Sequence, residues 1–425
     1  MAESRAVDLS PSRLASLRQR SLLSLMAGVA LGSTGHIAAV TVATIVAKDL
    51  AGTTILSGAP GATVVLGAAL GSTPLSRLMV ARGRRTGLSV GYVVSVAGAI
   101  IATIAVISRS LPLLLLGTAL IGFGNSSNQL SRYVAADLFP LARRASAIGF
   151  VVWAATFGAV AGPNLISWAG EMGEEIGLPA LAGAYLLPVV FVGAAALLSF
   201  SMLRPDPYAL ADHMGSDDVE GDPGQIPLMR ILRRPGVPTA VVALVAGQTV
   251  MVLIMTMTPL HMTDHGHGLA EVGLVISGHT FGMFALSPIS GRLTDRFGST
   301  AVVTSGLVVV AFSAVLSALA PPDGGPMLFV ALFLLGYGWN LGFVAGSAML
   351  THGLALAERT RLQGLTDALI WSSAAAASLG SGVVVAVAGF TALGILGAAM
   401  VVVPAWLVVT RRRSATVASS EHPGY

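Results

Sequence analysis

Residues 291–298 read Gly291-Arg292-Leu293-Thr294-Asp295-Arg296-Phe297-Gly298, a short charged turn between two long apolar runs. An earlier copy, Ser76-Arg77-Leu78-Met79-Val80-Ala81-Arg82-Gly83-Arg84-Arg85, follows the second apolar run, and the two closing glycines are 215 apart. Gly122-Phe123-Gly124-Asn125 is echoed by Gly336-Tyr337-Gly338-Trp339-Asn340, with first glycines 214 apart, and Arg143…Trp153 by Arg361…Trp371. A period of half the chain, carried through apolar segments, implies two similar helical bundles facing one another, with a substrate site between them near the bilayer midplane.

The composition agrees. Hydrophobic residues make up 54% of the chain, charged residues only 10%, and the mean hydropathy is +0.80, all outside the soluble globular range. A span needs ~20 apolar residues. Helices are expected near 21–47, 54–80, 86–108, 111–136, 144–168 and 179–203, then near 237–262, 270–290, 299–319, 327–350, 362–388 and 391–410. The fold class is therefore an all-α polytopic membrane protein with twelve transmembrane helices in two pseudo-repeated bundles. Residues 1–203 form the first bundle with a polar N-terminal segment. Residues 204–236 are a polar linker with a short surface helix around 226–234, and residues 237–425 are the second bundle with its tail. The first apolar run continues past any small-residue cleavage pattern, so it reads as a retained helix and not a signal peptide.

The chain has no Cys, which excludes disulfides, Fe–S clusters and thiol chemistry. Its basic balance is almost all arginine, and those arginines gather in alternate loops. This distribution reports topology and not nucleic-acid binding, and it places both termini in the cytoplasm. There is no His-Glu-x-x-His, no Walker loop and no nucleophile triad, so an enzyme is not expected, and without an ATPase motif transport is secondary or facilitated.

Gly291-Arg-Leu-Thr-Asp-Arg-Phe-Gly298 resembles the loop signature of the major facilitator superfamily, Gly-x-Leu-x-Asp-Arg-x-Gly. The resemblance covers the whole chain through helix number, linker and repeat. It implies alternating access and a cytoplasmic gate built on Gly291, Asp295, Arg296 and Gly298, in which the Asp caps or pairs with a neighbouring helix end. The first copy departs from the pattern with Val80 in place of the Asp. Asp367, an intramembrane carboxylate, is expected to join the gate by pairing with Arg361 or the Asp295 loop, or else to carry protons.

One stretch, 251–283, holds five of the fifteen Met and four of the eight His. Met251/Met255 and His279/Met283 are each spaced i, i+4 and so share a helix face. At 1.5 Å per residue, Met251 lies ~21 Å along its helix from one side and His279 ~14 Å along the next from the other, so the pairs reach a common depth. Three thioethers and one imidazole suit Cu(I). Between the pairs, His261, Met262, His265 and His267 are candidates for metal capture outside the membrane. The alternative is that the Met residues fill gaps between helices.

The same residues resemble the CcoA-type copper importers of bacteria, in which Met-x3-Met and His-x3-Met on the seventh and eighth helices are implicated in copper uptake for oxidase assembly. That resemblance implies copper as the substrate, with no resident cofactor. It also implies a bacterial inner-membrane location, a monomer, and a copper chaperone or oxidase assembly pathway as partner. A related branch handles riboflavin, so an organic substrate stays open. Candidate cavity residues for it are Asn128, Gln129, Trp339 and Asn340, while His36 and Gln248 are candidates for a third wall of the Met/His site. Export stays open too: Gly149, Gly158, Gly162 and Pro163 have the spacing of a signature common in drug:proton antiporters, although Thr118 stands where those carry a helix 4 arginine.

Overall fold

The computed structural model describes residues 10–51, 56, 58–213, 227–321 and 325–420. The first half contains α1 (Pro11–Ala51), α2 (Ala59–Arg82), α3 (Arg84–Ile107), α4 (Leu111–Asp137), α5 (Arg144–Asn164), α6 (Ile166–Glu175) and α7 (Ala180–Met202). Two short helices follow, α8 (Pro207–His213) and α9 (Leu228–Leu232). The second half contains α10 (Val237–Asp264), α11 (Leu269–Phe284), α12 (Ser287–Phe297), α13 (Ser299–Leu319) and α14 (Gly325–Met349). The helical stretch Leu356–Ser420 is broken at Gly389, whose φ of 76° no helix tolerates, so it is two helices, α15 (356–388) and α16 (390–420).

Ten stretches among the described residues are long and apolar enough to cross a membrane. Helix α4 is too polar in its second half to be among them, and Leu356–Ser420 counts as one there. With α4 added and that stretch divided, the number is twelve.

The repeat is physical. The α2–α3 and α12–α13 junctions turn on Gly83 (φ 90°) and Gly298 (φ 84°), a conformation that a side chain would strain. Helix α4 crosses α2 with Gly122 against the Val64 carbonyl, and α14 crosses α11 with Gly336 against the His279 carbonyl, each too close to admit a Cβ. In α12, Pro288 cannot supply the N–H that would bond the Phe284 carbonyl. The helix breaks there, and the Ser287 hydroxyl takes that carbonyl at 2.7 Å.

Some boundaries differ from expectation. Helix α1 starts at Pro11 and not near 21, because no breaker separates the polar N-terminal residues from the apolar run and Pro is well placed at a first turn. The eleventh span starts at Leu356, six residues early. The linker's expected surface helix is the five-residue α9, and residues 214–226 lie outside the described residues.

Both described ends of the chain, the α2–α3 turn and the α12–α13 turn lie at one end of the bundle, here called the basic end. The C-terminal ends of α1 and α13 and the α10–α11 connection lie at the other, the far end. The halves meet through α2 against α15 and α5 against α11 and α12.

Candidate functional site

Between the halves lies a cavity with two adjoining lobes. The larger, about 340 Å³, is walled by Ser33, His36, Ile37 and Thr41 of α1, Val64 of α2, Asn125, Asn128, Gln129 and Arg132 of α4, and Val151 and Val152 of α5, with Phe284, Phe343 and Trp371 across from them. It reaches Gly61 in the first turn of α2, at the far end. The smaller, about 250 Å³, is walled by Gln248, Met251 and Met255 of α10, Met283, Phe284, Trp339, Phe343, Asp367, Ile370 and Trp371. Gln129, Arg132, Phe284, Phe343 and Trp371 border both lobes.

The α1/α4 wall is organised by hydrogen bonds. Asn128 accepts from the Tyr92 hydroxyl at 3.0 Å and donates to Ser33 at 2.8 Å. His36 Nε2 lies 2.9 Å from the Ser95 hydroxyl, and its buried Nδ1 has no hydrogen-bond partner among the described residues. Asn125, Asn128, Gln129 and Arg132 follow i, i+3, i+4, i+7 spacing, which puts them on one helix face. On the opposite wall Trp339 Nε1 donates to Gln248 Oε1 at 2.8 Å. Trp339 and Phe343 stack with ring centroids 4.4 Å apart, and Phe284 meets Trp339 edge-on.

The cavity is closed at the basic end by contacts that cross between the halves. Arg132 of α4 pairs with Asp367 of α15 at 2.6 Å, both buried. One turn further, Asp137 takes Arg84 of α3 at 2.5 Å and Arg359 of α15 at 3.0 Å. Arg84 also reaches Gln363, and Arg144 donates to the Thr351 carbonyl at 2.8 Å. Asp295 of α12 accepts the backbone N–H groups of Ala145 and Ser146, capping the first turn of α5. The cavity is thus sealed at the basic end and reaches the first turn of α2 at the far end.

The model of the major facilitator superfamily matches residues 23–270 and 239–424. The chain belongs to the major facilitator superfamily. Its relatives include the uncharacterised MFS-type transporter YdeG of Bacillus subtilis, 37% identical over 91% of each chain. Another is the riboflavin transporter RfnT of Brucella anthropi, 32% identical over 87% of this chain and 89% of that one. Among solved structures, the human organic anion transporter MFSD10 superposes with a TM-score of 0.73 at 15% identity, covering 92% of this chain and 99% of the other. The fold is thus the twelve-helix facilitator fold, and the protein is a membrane transporter and not an enzyme.

Against that frame the expected site residues separate. Met251, Met255 and Met283 border one lobe together, but His279 does not. It is buried on the α14 side of α11, with Nδ1 2.8 Å from the Leu332 carbonyl, because the close approach at Gly336 fixes that face inward. Among the described residues no group of three or more His, Asp or Glu could hold a metal. At the far end, His261 stacks on Phe390 and its ring lies 4.4 Å from that of His265, while His267 pairs with Glu271 and Met262 is buried.

His36, Asn128, Gln129 and Gln248 border the cavity, whereas Asn340 does not. Its amide donates to the Met283 carbonyl and the Ser287 hydroxyl, both at 2.6 Å, and accepts from Ser290, so it braces the α11–α12 break. Asp367 pairs with Arg132, and not with Arg361 or the Asp295 loop. Gly291 packs on the Ala145 carbonyl, and Arg296 lies over the Phe297 ring. Gly149 packs on the Ser287 carbonyl and Gly158 and Gly162 on α1, so the helix 5 glycines serve helix packing here.

Proposed function

We propose that this facilitator carries riboflavin or a closely related flat, hydrogen-bonding heteroaromatic molecule into a bacterial cell. The observation that carries the reading is the contrast between the cavity walls: an amide and imidazole face on α1 and α4, opposite an aromatic face of Phe284, Phe343 and Trp371. A planar ring stacks on the second face while its polar edge is read by the first. The larger lobe, about 340 Å³, falls in the ~300–1,000 Å³ range of small-molecule sites. The identity with a riboflavin transporter supports the same class. The arginine-rich end would face the cytoplasm of the inner membrane, and the chain would act as a monomer.

The test is uptake of radiolabelled riboflavin by a riboflavin-requiring bacterium that lacks its own transporter. Expression of this chain should restore growth at low riboflavin and give saturable uptake. No uptake at confirmed membrane levels would overturn the reading.

One observation favours a second reading, Cu(I) import, with delivery toward a copper chaperone or oxidase assembly pathway. Met251, Met255 and Met283 border a single lobe, and three thioethers form a soft donor set. The imidazole of His279 faces away from them, so the set is poorer than the sequence suggests. Radiocopper accumulation in the same cells separates the two readings.

A further inference from the structure

We propose that a groove between the first turns of α1 and the α4–α5 connection binds the headgroup phosphate of an anionic phospholipid, from the leaflet at the basic end. Helix α1 begins at Pro11, well before the apolar run that opens at Leu22. Along that extension Ala15, Arg18, Gln19 and Leu22 follow i, i+3, i+4, i+7 spacing and share a face. Phe139, Pro140 and Arg143 of the connection lie against them, and together they line a groove of about 290 Å³. Two guanidinium groups thus reach one groove from two separate elements.

Charge and depth together select the occupant. The lining holds two arginines and no Asp or Glu. Asp295 lies within reach of the Arg143 charge, but it is not part of the lining, and both its oxygens accept backbone N–H groups of α5. The groove sits where the apolar run of α1 begins, which is the level of the lipid headgroups. A phosphodiester between two guanidinium groups gains charge-assisted hydrogen bonds. Its acyl chains continue down the apolar flank of α1 past Leu22 and the exposed Leu23. A zwitterionic lipid carries the same phosphate, but its ammonium is repelled by the second arginine. A soluble anion gains the charge contact and covers none of the apolar surface of Ala15, Leu22, Phe139 and Pro140.

The groove on the other flank of α1 supplies the contrast. It shares Gln19, is larger at about 450 Å³, and runs between α1 and Leu198 and Met202 of α7. Arg20 is the one charged residue of its lining, and its guanidinium reaches the Met202 sulfur at 3.8 Å. More room with a single guanidinium makes a weaker and less selective anion site than less room with two.

The test is native mass spectrometry of the full chain in detergent, titrated with phosphatidylglycerol and, separately, with phosphatidylcholine. Wild type should bind its first phosphatidylglycerol at least ~10-fold more tightly than phosphatidylcholine. Each arginine near a membrane surface is worth about a fivefold change, so Arg18→Gln/Arg143→Gln should weaken that first site by about 25-fold. Arg20→Gln should leave it within ~2-fold. The exposed Arg77 and Arg82 lie at the same end of the bundle, and Arg77→Gln/Arg82→Gln removes the same charge. That pair should also leave the first site within ~2-fold, well short of the roughly 25-fold loss.

Equal losses in the two arginine pairs would show diffuse attraction to a basic surface and overturn the proposal, as would no loss in Arg18→Gln/Arg143→Gln. Displacement of the bound lipid by millimolar inorganic phosphate would also overturn it, because the groove would then hold phosphate alone. Should the arginine double variant not assemble, Ala15→Phe carries the test. It fills the groove with both charges in place and should weaken the first site by at least ~10-fold; unchanged binding there overturns the proposal. None of these outcomes depends on which cargo the transporter carries.

Discussion

Helices α4 and α14 occupy the same place in the two halves, and their cavity faces differ residue for residue. At a spacing of 214, Asn125 corresponds to Trp339, Gln129 to Phe343 and Arg132 to Gly346. On α1 and α10, His36 corresponds to the neighbourhood of Met251. The packing faces, by contrast, repeat. Ser126 donates to the Ala68 carbonyl and contacts Ser72, and its counterpart Asn340 donates to the Met283 carbonyl and to Ser287. Duplication has thus preserved the contacts that hold helix to helix and has let the cavity faces diverge into an amide wall and an aromatic–thioether wall. Function is to be sought where the halves disagree.

The sharpest way to break the contrast is to erase the amide wall. Gln129→Leu keeps the volume and the backbone carbonyl that holds Arg132, and removes the side-chain amide bordering both lobes. A site built to hydrogen-bond its ligand discriminates steeply against a missing partner, so riboflavin uptake should fall by at least ~10-fold in kcat/KM. Concentration-dependent uptake at matched membrane levels measures it. An unchanged value would mean that the polar edge of the substrate is read elsewhere.

The repeated packing face makes a smaller and different prediction. Asn340→Ala leaves the Met283 carbonyl and two serine hydroxyls short of a partner at the α11–α12 break. Interhelical hydrogen bonds in membranes contribute ~0.6 kcal/mol on average and up to ~1.7. The variant should therefore lose about 1 kcal/mol of stability, read as a lower melting temperature in detergent, while KM stays within ~2-fold. Ser126→Ala should show a weaker form of the same defect. A large change in KM with unchanged melting would return Asn340 to the cavity.

Much of this architecture is legible in the sequence. The spans follow from hydropathy, and the division into halves follows from glycine-marked turns that recur at fixed spacing. Helix α4, expected near 111–136, is polar in its second half, and its Gly122 has a repeat mate in Gly336. What stays hidden is the direction in which side chains face. His279 reads as a ligand because an intramembrane histidine is costly, yet the approach of α14 at Gly336 turns it toward the Leu332 carbonyl. Asn340 reads as a cavity residue because Gly122-Phe-Gly-Asn aligns with Gly336-Tyr-Gly-Trp-Asn, but at a constant spacing of 214 its mate is Ser126, a packing residue. Arg132 stands in sequence at the end of the polar run of α4. Its partner lies 235 residues away, a distance no local pattern reports.

The thioether side of the contrast carries the smallest expected effect. Met255 is partly buried, borders the smaller lobe, and packs against the apolar core. Leu has nearly the same volume and polarity, and such exchanges in packed sites usually cost less than ~1.5 kcal/mol. If Met255 is wall material for an organic substrate, Met255→Leu should change riboflavin KM by no more than ~3-fold. If it is a donor to Cu(I), the loss of one sulfur from a three-sulfur set removes a bond that leucine cannot replace, and copper accumulation should collapse while folding is untouched. The same variant, assayed side by side for radiolabelled riboflavin and copper, thus gives opposite answers under the two readings. Met283→Leu should follow the same pattern, because its sulfur shares that lobe, and His279→Ala should not, because its ring lies outside it.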